Sequence, residues 1–127
     1  MKILIAEDDK DIASVYQKIL SSRGHQVICT HDGFECLDQF KKEVSTKKGN
    51  LLPPFDIVII DYSMPEMDGA KLAKEIKSIN SRQRIIFATA HPDELIDYLV
   101  PTSMEIEILS KPFDYSGLIS ILEKQIA

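Results

Sequence analysis

The sequence predicts an open α/β fold, a doubly wound and mainly parallel sheet built from five βα units. Two observations carry this. Short apolar runs recur five times along the chain, and the segments between them repeat apolar residues at three and four, the period of one helix face. Strands buried on both faces and separated by helices require right-handed crossovers, hence a mainly parallel sheet. Five units are too few to close an eight-stranded barrel.

Each element has its own signal. Lys2 to Ala6 is a continuous apolar run stopped by three acids, Glu7, Asp8 and Asp9. Ile12, Val15, Tyr16, Ile19 and Leu20 mark the first helix, with Asp8 or Asp9 as its cap and Gly24 where it ends. Val27 to Cys29 is a short second strand. Phe34, Leu37, Phe40, Lys41 and Val44 line a second helix. Ser45 to Pro54, rich in Lys, Gly, Asn and Pro, reads as a surface loop. Phe55 to Ile60 is the clearest strand. The turn signal Pro65-Glu66-Met67-Asp68-Gly69 precedes a third helix with Leu72, Ala73, Ile76 and Ile79 on one face. Arg84 to Thr89 is a fourth strand, followed after Pro92 by a short helix with Leu95, Ile96 and Leu99. Glu105 to Leu109 is a fifth strand, and Leu118, Ile119, Leu122 and Ile126 face one way on a last helix.

Composition narrows the function. At 127 residues with 44% hydrophobic side chains, residues 1–127 make one domain, with no output domain expected. Fifteen basic against twenty acidic residues leave a net charge of −5, which argues against direct nucleic-acid binding. No apolar stretch approaches a membrane span, and the first apolar run is too short for a secretory signal. Two cysteines, Cys29 and Cys36, cannot make a disulfide framework, so a cytoplasmic setting is expected.

In open parallel sheets, ligands sit outside the carboxyl ends of the strands. The residues that follow each strand are therefore informative. Glu7, Asp8 and Asp9 follow the first strand, Thr30 and His31 the second, Asp61 the third, Thr89 the fourth, and Ser110 and Lys111 the fifth. Crowded carboxylates repel unless a positive charge intervenes. A hard divalent cation with oxygen ligands answers this, and magnesium needs only one or two protein carboxylates plus phosphate oxygens. Glu7 and Asp8 form a metal-holding pair, and Asp61, alone at its strand tip, is placed to act as a nucleophile on phosphorus.

These residues resemble the receiver domains of two-component response regulators, in particular single-domain chemotaxis and sporulation regulators. The matching segments are Lys2 to Asp9, Asp56 to Gly69 ending Met-Pro-Glu-Met-Asp-Gly, Ala88-Thr89-Ala90, and Ser110-Lys111-Pro112-Phe113-Asp114. The resemblance implies a flavodoxin-like five-stranded sheet in the order 2-1-3-4-5, with five helices on both faces. It implies Asp61 as phosphoacceptor, and Mg2+ held by Asp8, Asp61, Glu7 (partly through water) and the backbone carbonyl of Ser63. Thr89 is expected to hydrogen-bond a phosphoryl oxygen, Lys111 to pair with it, and the Lys111-Pro112 bond to be cis. The implied function is phosphorelay signalling: a sensor histidine kinase or phosphotransfer protein donates the phosphoryl group. The α4-β5-α5 surface, including Leu95, Leu99 and Ile108, then engages an output protein, with a phosphorylation-dependent dimer as one form of output. The chain is not expected to be an enzyme beyond catalysing its own phosphorylation and dephosphorylation. Two departures stand out: a longer segment between Phe40 and Asp56, and Ile108 where the family usually carries Tyr or Phe.

Other readings are weaker. The three acids near position 8 could merely cap a helix. Cys29, His31 and Cys36 lack the paired spacing of a zinc site. Asp68-Gly69 lacks the preceding alternating acids of a calcium loop. A haloacid-dehalogenase-type hydrolase is expected to carry a second Asp two residues past its nucleophile, where this chain has Ser63. A receiver-like binding module that never takes phosphate would not need the full set of acids, hydroxyl and amine.

Overall fold

Branched aliphatic residues build the sheet. Five parallel strands, β1 (Lys2–Ala6), β2 (Gln26–Thr30), β3 (Ile57–Asp61), β4 (Ile85–Thr89) and β5 (Glu107–Ser110), lie in the order β2-β1-β3-β4-β5. Helices α1 (Lys10–Ser22), α2 (Gly33–Thr46), α3 (Gly69–Ile79), α4 (Pro92–Leu99) and α5 (Tyr115–Leu122) alternate with them. This computed structural model describes residues 1–46, 52–62, 68–99, 105–112 and 114–123. The fold class and strand order are those expected. Among the described residues, no helix is long and apolar enough to cross a membrane.

Because side chains alternate along a strand, each strand serves two cores. Ile3, Ile5, Ile57, Ile59, Ile86 and Leu109 pack with Tyr16 and Leu20 of α1 and with Leu118 and Leu122 of α5. Leu4, Ala6, Val58, Ile60, Ile85 and Phe87 pack with α2, α3 and α4 through residues such as Phe40, Leu72, Ile76 and Leu95. The helices thus divide two and three across the sheet.

Local chemistry sets the boundaries. Asp9 caps α1, accepting from the N–H groups of Asp11 (2.9 Å) and Ile12 (3.2 Å). That helix ends as expected at Gly24, whose φ of 83° is open to glycine at little cost. Asp68 caps α3 by accepting from the Lys71 N–H at 2.8 Å, which is the role of the Asp68-Gly69 pair. A Cβ on Gly69 would meet Phe87 Cε1 at 3.0 Å and Tyr62 Cα at 3.1 Å, so only glycine lets α3 approach the end of β3 this closely.

Several expectations shift. Strand β3 begins at Ile57, because Phe55 is held outside the ladder. The buried Gln83 side chain accepts from the Phe55 N–H (3.3 Å) and donates to the Phe55 carbonyl (2.9 Å). Strand β5 starts at Glu107, clamped at that end to Arg84. Helix α2 absorbs Ser45 and Thr46 from the expected loop, whose residues 47–51 lie outside the described set. Val15 and Phe34, expected on apolar faces, are exposed; the inward residues are Ala13, Tyr16 and Leu20 on α1, and Cys36 and Phe40 on α2. Ile126 lies outside the described residues.

Candidate functional site

Strand register assembles the site. Ile5 pairs with Ile59 and Ala6 with Ile60, so one further step sets Glu7 beside Asp61. The ladder continues that far on the other side too, since the Glu7 N–H donates to the Thr30 carbonyl at 3.0 Å. Alternation puts Glu7 in the row of Ile3 and Ile5, and Asp61 in the row of Ile57 and Ile59, both on the α1/α5 side. Asp8 follows at the mouth. One carboxylate oxygen from each of Glu7, Asp8 and Asp61 lies within 4.8 Å of the others.

One cation reaches this cluster from β5. The Lys111 Nζ stands 3.5 Å from Asp61 Oδ2 and 3.6 Å from Glu7 Oε1. Its backbone is fixed by a 2.7 Å bond from the Lys111 N–H to the Thr89 carbonyl, and the following Lys111-Pro112 bond is cis. Glu7 is 1% exposed, and neither of its oxygens accepts a hydrogen bond from a described residue. Burial chiefly pushes its carboxyl up to about 8, aided by a carboxyl–carboxyl contact with Asp61 and by the Asp61 charge, while Lys111 opposes the rise. Among the described residues, three clustered acids, two of them beside the Lys111 ammonium, leave negative charge in need of a counter-ion.

Thr89 ends β4 one residue past Ala88, the register partner of Asp61. It is buried, and its hydroxyl oxygen accepts the His91 N–H at 3.0 Å. The structure thus brings together Glu7, Asp8, Asp61 and Lys111, and sets Thr89 at the neighbouring strand end. Ser63 lies outside the described residues. Asp9 is a cap, as expected.

Cys29 and Cys36 share no site. Cys29 lies on the α1/α5 face, its thiol 3.4 Å from Gln17 Oε1, whereas Cys36 is buried in the opposite core. Burial pushes both thiols up, Cys36 to about 12, away from the thiolate a metal would need.

Tyr16, on the apolar stripe of α1, is 2% exposed in the core of the α1/α5 face.

Comparison with known proteins matches this architecture. A family model described as the response regulator receiver domain matches residues 3–123. This chain is a response regulator receiver domain. It is 30% identical over 131 residues to the transcriptional regulatory protein ZraR of Escherichia coli K12, covering 98% of this chain and 26% of ZraR. The chain therefore spans about a quarter of that relative's length. It is 29% identical over 125 residues to the response regulator receiver protein CpdR of Brucella abortus, covering 98% of this chain and 96% of CpdR. Among solved structures, it resembles the receiver domain of the Pseudomonas aeruginosa sensor histidine kinase PA1611, with a TM-score of 0.71 and 25% identity. The match covers 96% of this chain and 93% of that one, whose cleft holds a coordinated magnesium ion.

The receiver's function is phosphorelay signal transduction. Within this receiver, one surface expectation needs correcting. Leu95 is fully buried against the α2–α4 core, because it falls on the inner side of α4; Ile96, 44% exposed, takes the outer position. Ile108 is half-buried and packs against the same core, beside its strand partner Phe87. The Leu99 side chain lies outside the described set.

Proposed function

We propose that this receiver accepts a phosphoryl group on Asp61 from a phosphohistidine of a sensor kinase or phosphotransfer protein. The single observation that carries the reading is the convergence of Asp61 with Glu7, Asp8 and Lys111 at one strand edge. An Asp61 carboxylate oxygen attacks phosphorus, the bond to the donor imidazole nitrogen breaks, and that nitrogen takes up a proton as it leaves. The product is an acyl phosphate on Asp61.

The acids fit a resident Mg2+. They are hard oxygen donors within 4.8 Å of one another, and the buried Glu7 oxygens take no hydrogen bond from a described residue. Glu7, Asp8 and Asp61 would hold the ion, with the Ser63 carbonyl completing the set implied by the family motif. When bound, magnesium neutralises the carboxylates and stabilises charge on the phosphoryl oxygens.

The chain's own residues do the positioning. Strand β3 holds Asp61 at its tip, and Lys111, already 3.5 Å from Asp61, transfers its pairing to a phosphoryl oxygen. The Thr89 hydroxyl accepts rather than donates in its bond to the His91 N–H, which leaves its proton for a phosphoryl oxygen. The added charge of roughly −1.5 to −2 draws Thr89 and the segment after it inward. That shift biases the α4-β5-α5 surface, with Ile96 exposed on it, toward binding an output protein or a second receiver. Output by protein contact in the cytoplasm, with neither nucleic acid nor membrane touched directly, suits the net charge of −5. Turnover of phosphate esters is not part of this reading.

Incubation with magnesium and acetyl phosphate, followed by intact-mass measurement, tests the reading. One added phosphate is expected on the native chain and none on Asp61→Asn. No added phosphate, or equal labelling of Asp61→Asn, overturns it.

A further inference from the structure

We propose that the outer face of α4 docks a basic, amphipathic segment of an output protein rather than a second receiver. This rests on the reading above that the α4-β5-α5 surface carries the output, and it names the chemistry of the partner.

The chain distributes its charge unevenly. Residues 85–110, which run through β4, α4 and β5, contain the acids Asp93, Glu94, Asp97, Glu105 and Glu107 and no lysine or arginine. The whole chain carries −5, so the residues outside this stretch are balanced. Helices α1, α2 and α3 mix both signs, whereas α4 carries acids alone. The helix dipole accounts for Asp93 and Glu94 in the first turn, but not for Asp97 or for a last turn without a base. Asp93, Glu94 and Asp97 are exposed, and none pairs with a cation among the described residues. Glu107 differs, because Arg84 neutralises it.

An apolar anchor stands among these acids. Leu95 faces the core, while Ile96, next to Asp97 and one turn from Asp93, is 44% exposed. A large aliphatic side chain bordered by carboxylates complements a helix that offers aliphatic residues with lysine or arginine at their margins. The same charge disfavours self-pairing. A two-fold dimer sets one patch against itself, so α4 would meet acids with acids and offer no base to bridge them. The face is also tied to the phosphoacceptor edge. The Thr89 hydroxyl oxygen accepts the His91 N–H at 3.0 Å, and the His91 carbonyl accepts the Leu95 N–H at 3.3 Å. A shift of Thr89 is thus passed to the turn that presents Ile96.

The probes are two fluorescent helical peptides with the same leucine stripe, one flanked by lysine and the other by glutamate. Anisotropy measures their binding to the receiver loaded with magnesium and fluoroberyllate, and amide chemical shifts locate it. The lysine peptide is expected to bind on α4 and to weaken as salt rises, and the glutamate peptide to stay free. Asp93→Asn/Glu94→Gln/Asp97→Asn should weaken the lysine peptide about tenfold. The same loss of charge spread over α1, α2 and α3, Asp11→Asn/Asp38→Asn/Glu75→Gln, should leave it near native. Equal weakening by both triple variants, or binding away from α4, overturns the inference. A fluoroberyllate-induced dimer whose shift changes map to α4 overturns it in favour of a second receiver. Should the α4 triple variant loosen its helix, Asp97→Lys decides: it should narrow the advantage of the lysine peptide, and an unchanged preference counts against the proposal. Failure of fluoroberyllate to bind overturns the phosphoacceptor reading instead, and the same titrations of the unloaded receiver then decide the α4 surface.

Discussion

The two edges of the sheet treat charge in opposite ways. At the edge where the strands begin, polar groups are closed into pairs. Arg84 grips Glu107 with two nitrogens, at 2.5 and 2.8 Å, and also donates to the carbonyls of Ile121 and Leu122 at the end of α5. Gln83 ties down the backbone of Phe55, and Lys2 pairs with Glu43 at 2.6 Å while lying 5.4 Å over the Phe55 ring. At the edge where the strands end, Glu7 and Asp61 share the Lys111 ammonium at 3.6 and 3.5 Å, with the Asp8 carboxylate crowded against theirs. The first edge spends its charge on holding the fold. The second keeps like charges together, which native structures tolerate chiefly where function requires it.

This contrast can be broken most strongly at the first edge. Arg84→Ala removes a half-buried bidentate pair and two helix-end bonds, and should lower the unfolding free energy by about 2–4 kcal/mol. Urea titration measures this. Phosphate labelling of Asp61, measured well below the melting transition, should stay near native, because none of Arg84's partners lies at the acidic edge. A large labelling defect in a folded Arg84→Ala protein would merge the two edges into one.

The second edge is sharpened by pH. Glu7 holds its proton to about 8 in the folded, metal-free chain but titrates near 4.5 when exposed. Between those values the folded state binds more protons than the unfolded one, so stability falls as pH rises through the window. Melts in chelator from pH 4.5 to 8 should show this decline over and above the background from other groups, and Glu7→Gln should flatten it. A slope unaltered by Glu7→Gln would place the strain elsewhere.

The smallest effect is expected away from both edges. The Lys42–Asp38 pair on α2 spans 3.0 Å, but both side chains are more than half exposed. Such pairs are screened by water and salt, so Lys42→Ala should leave the urea midpoint essentially unmoved. A clear loss there would mean that α2 leans on surface charge.

How much of this was legible beforehand differs by residue. Asp61, Thr89 and Lys111 were readable because each follows an apolar run, and a parallel sheet sends all such ends to one side. The cap at Asp9 was readable because capping is local. Leu95 and Ile96 were not separable, since adjacent apolar residues on a short helix differ only in which one meets the core. Phe34 and Val15 misled for the same reason: periodicity suggests a stripe, but its centre depends on what the helix packs against.

By itself, the order of residues determined the five βα units, the parallel sheet and the side on which acids, hydroxyl and amine gather, because periodicity and strand direction are local properties. Only the tertiary structure decided that Glu7 lies beside Asp61 and that Lys111 reaches both. Those neighbours are 54, 50 and more residues apart in the chain, and only the register of one strand against another, with the burial that follows, sets their distances.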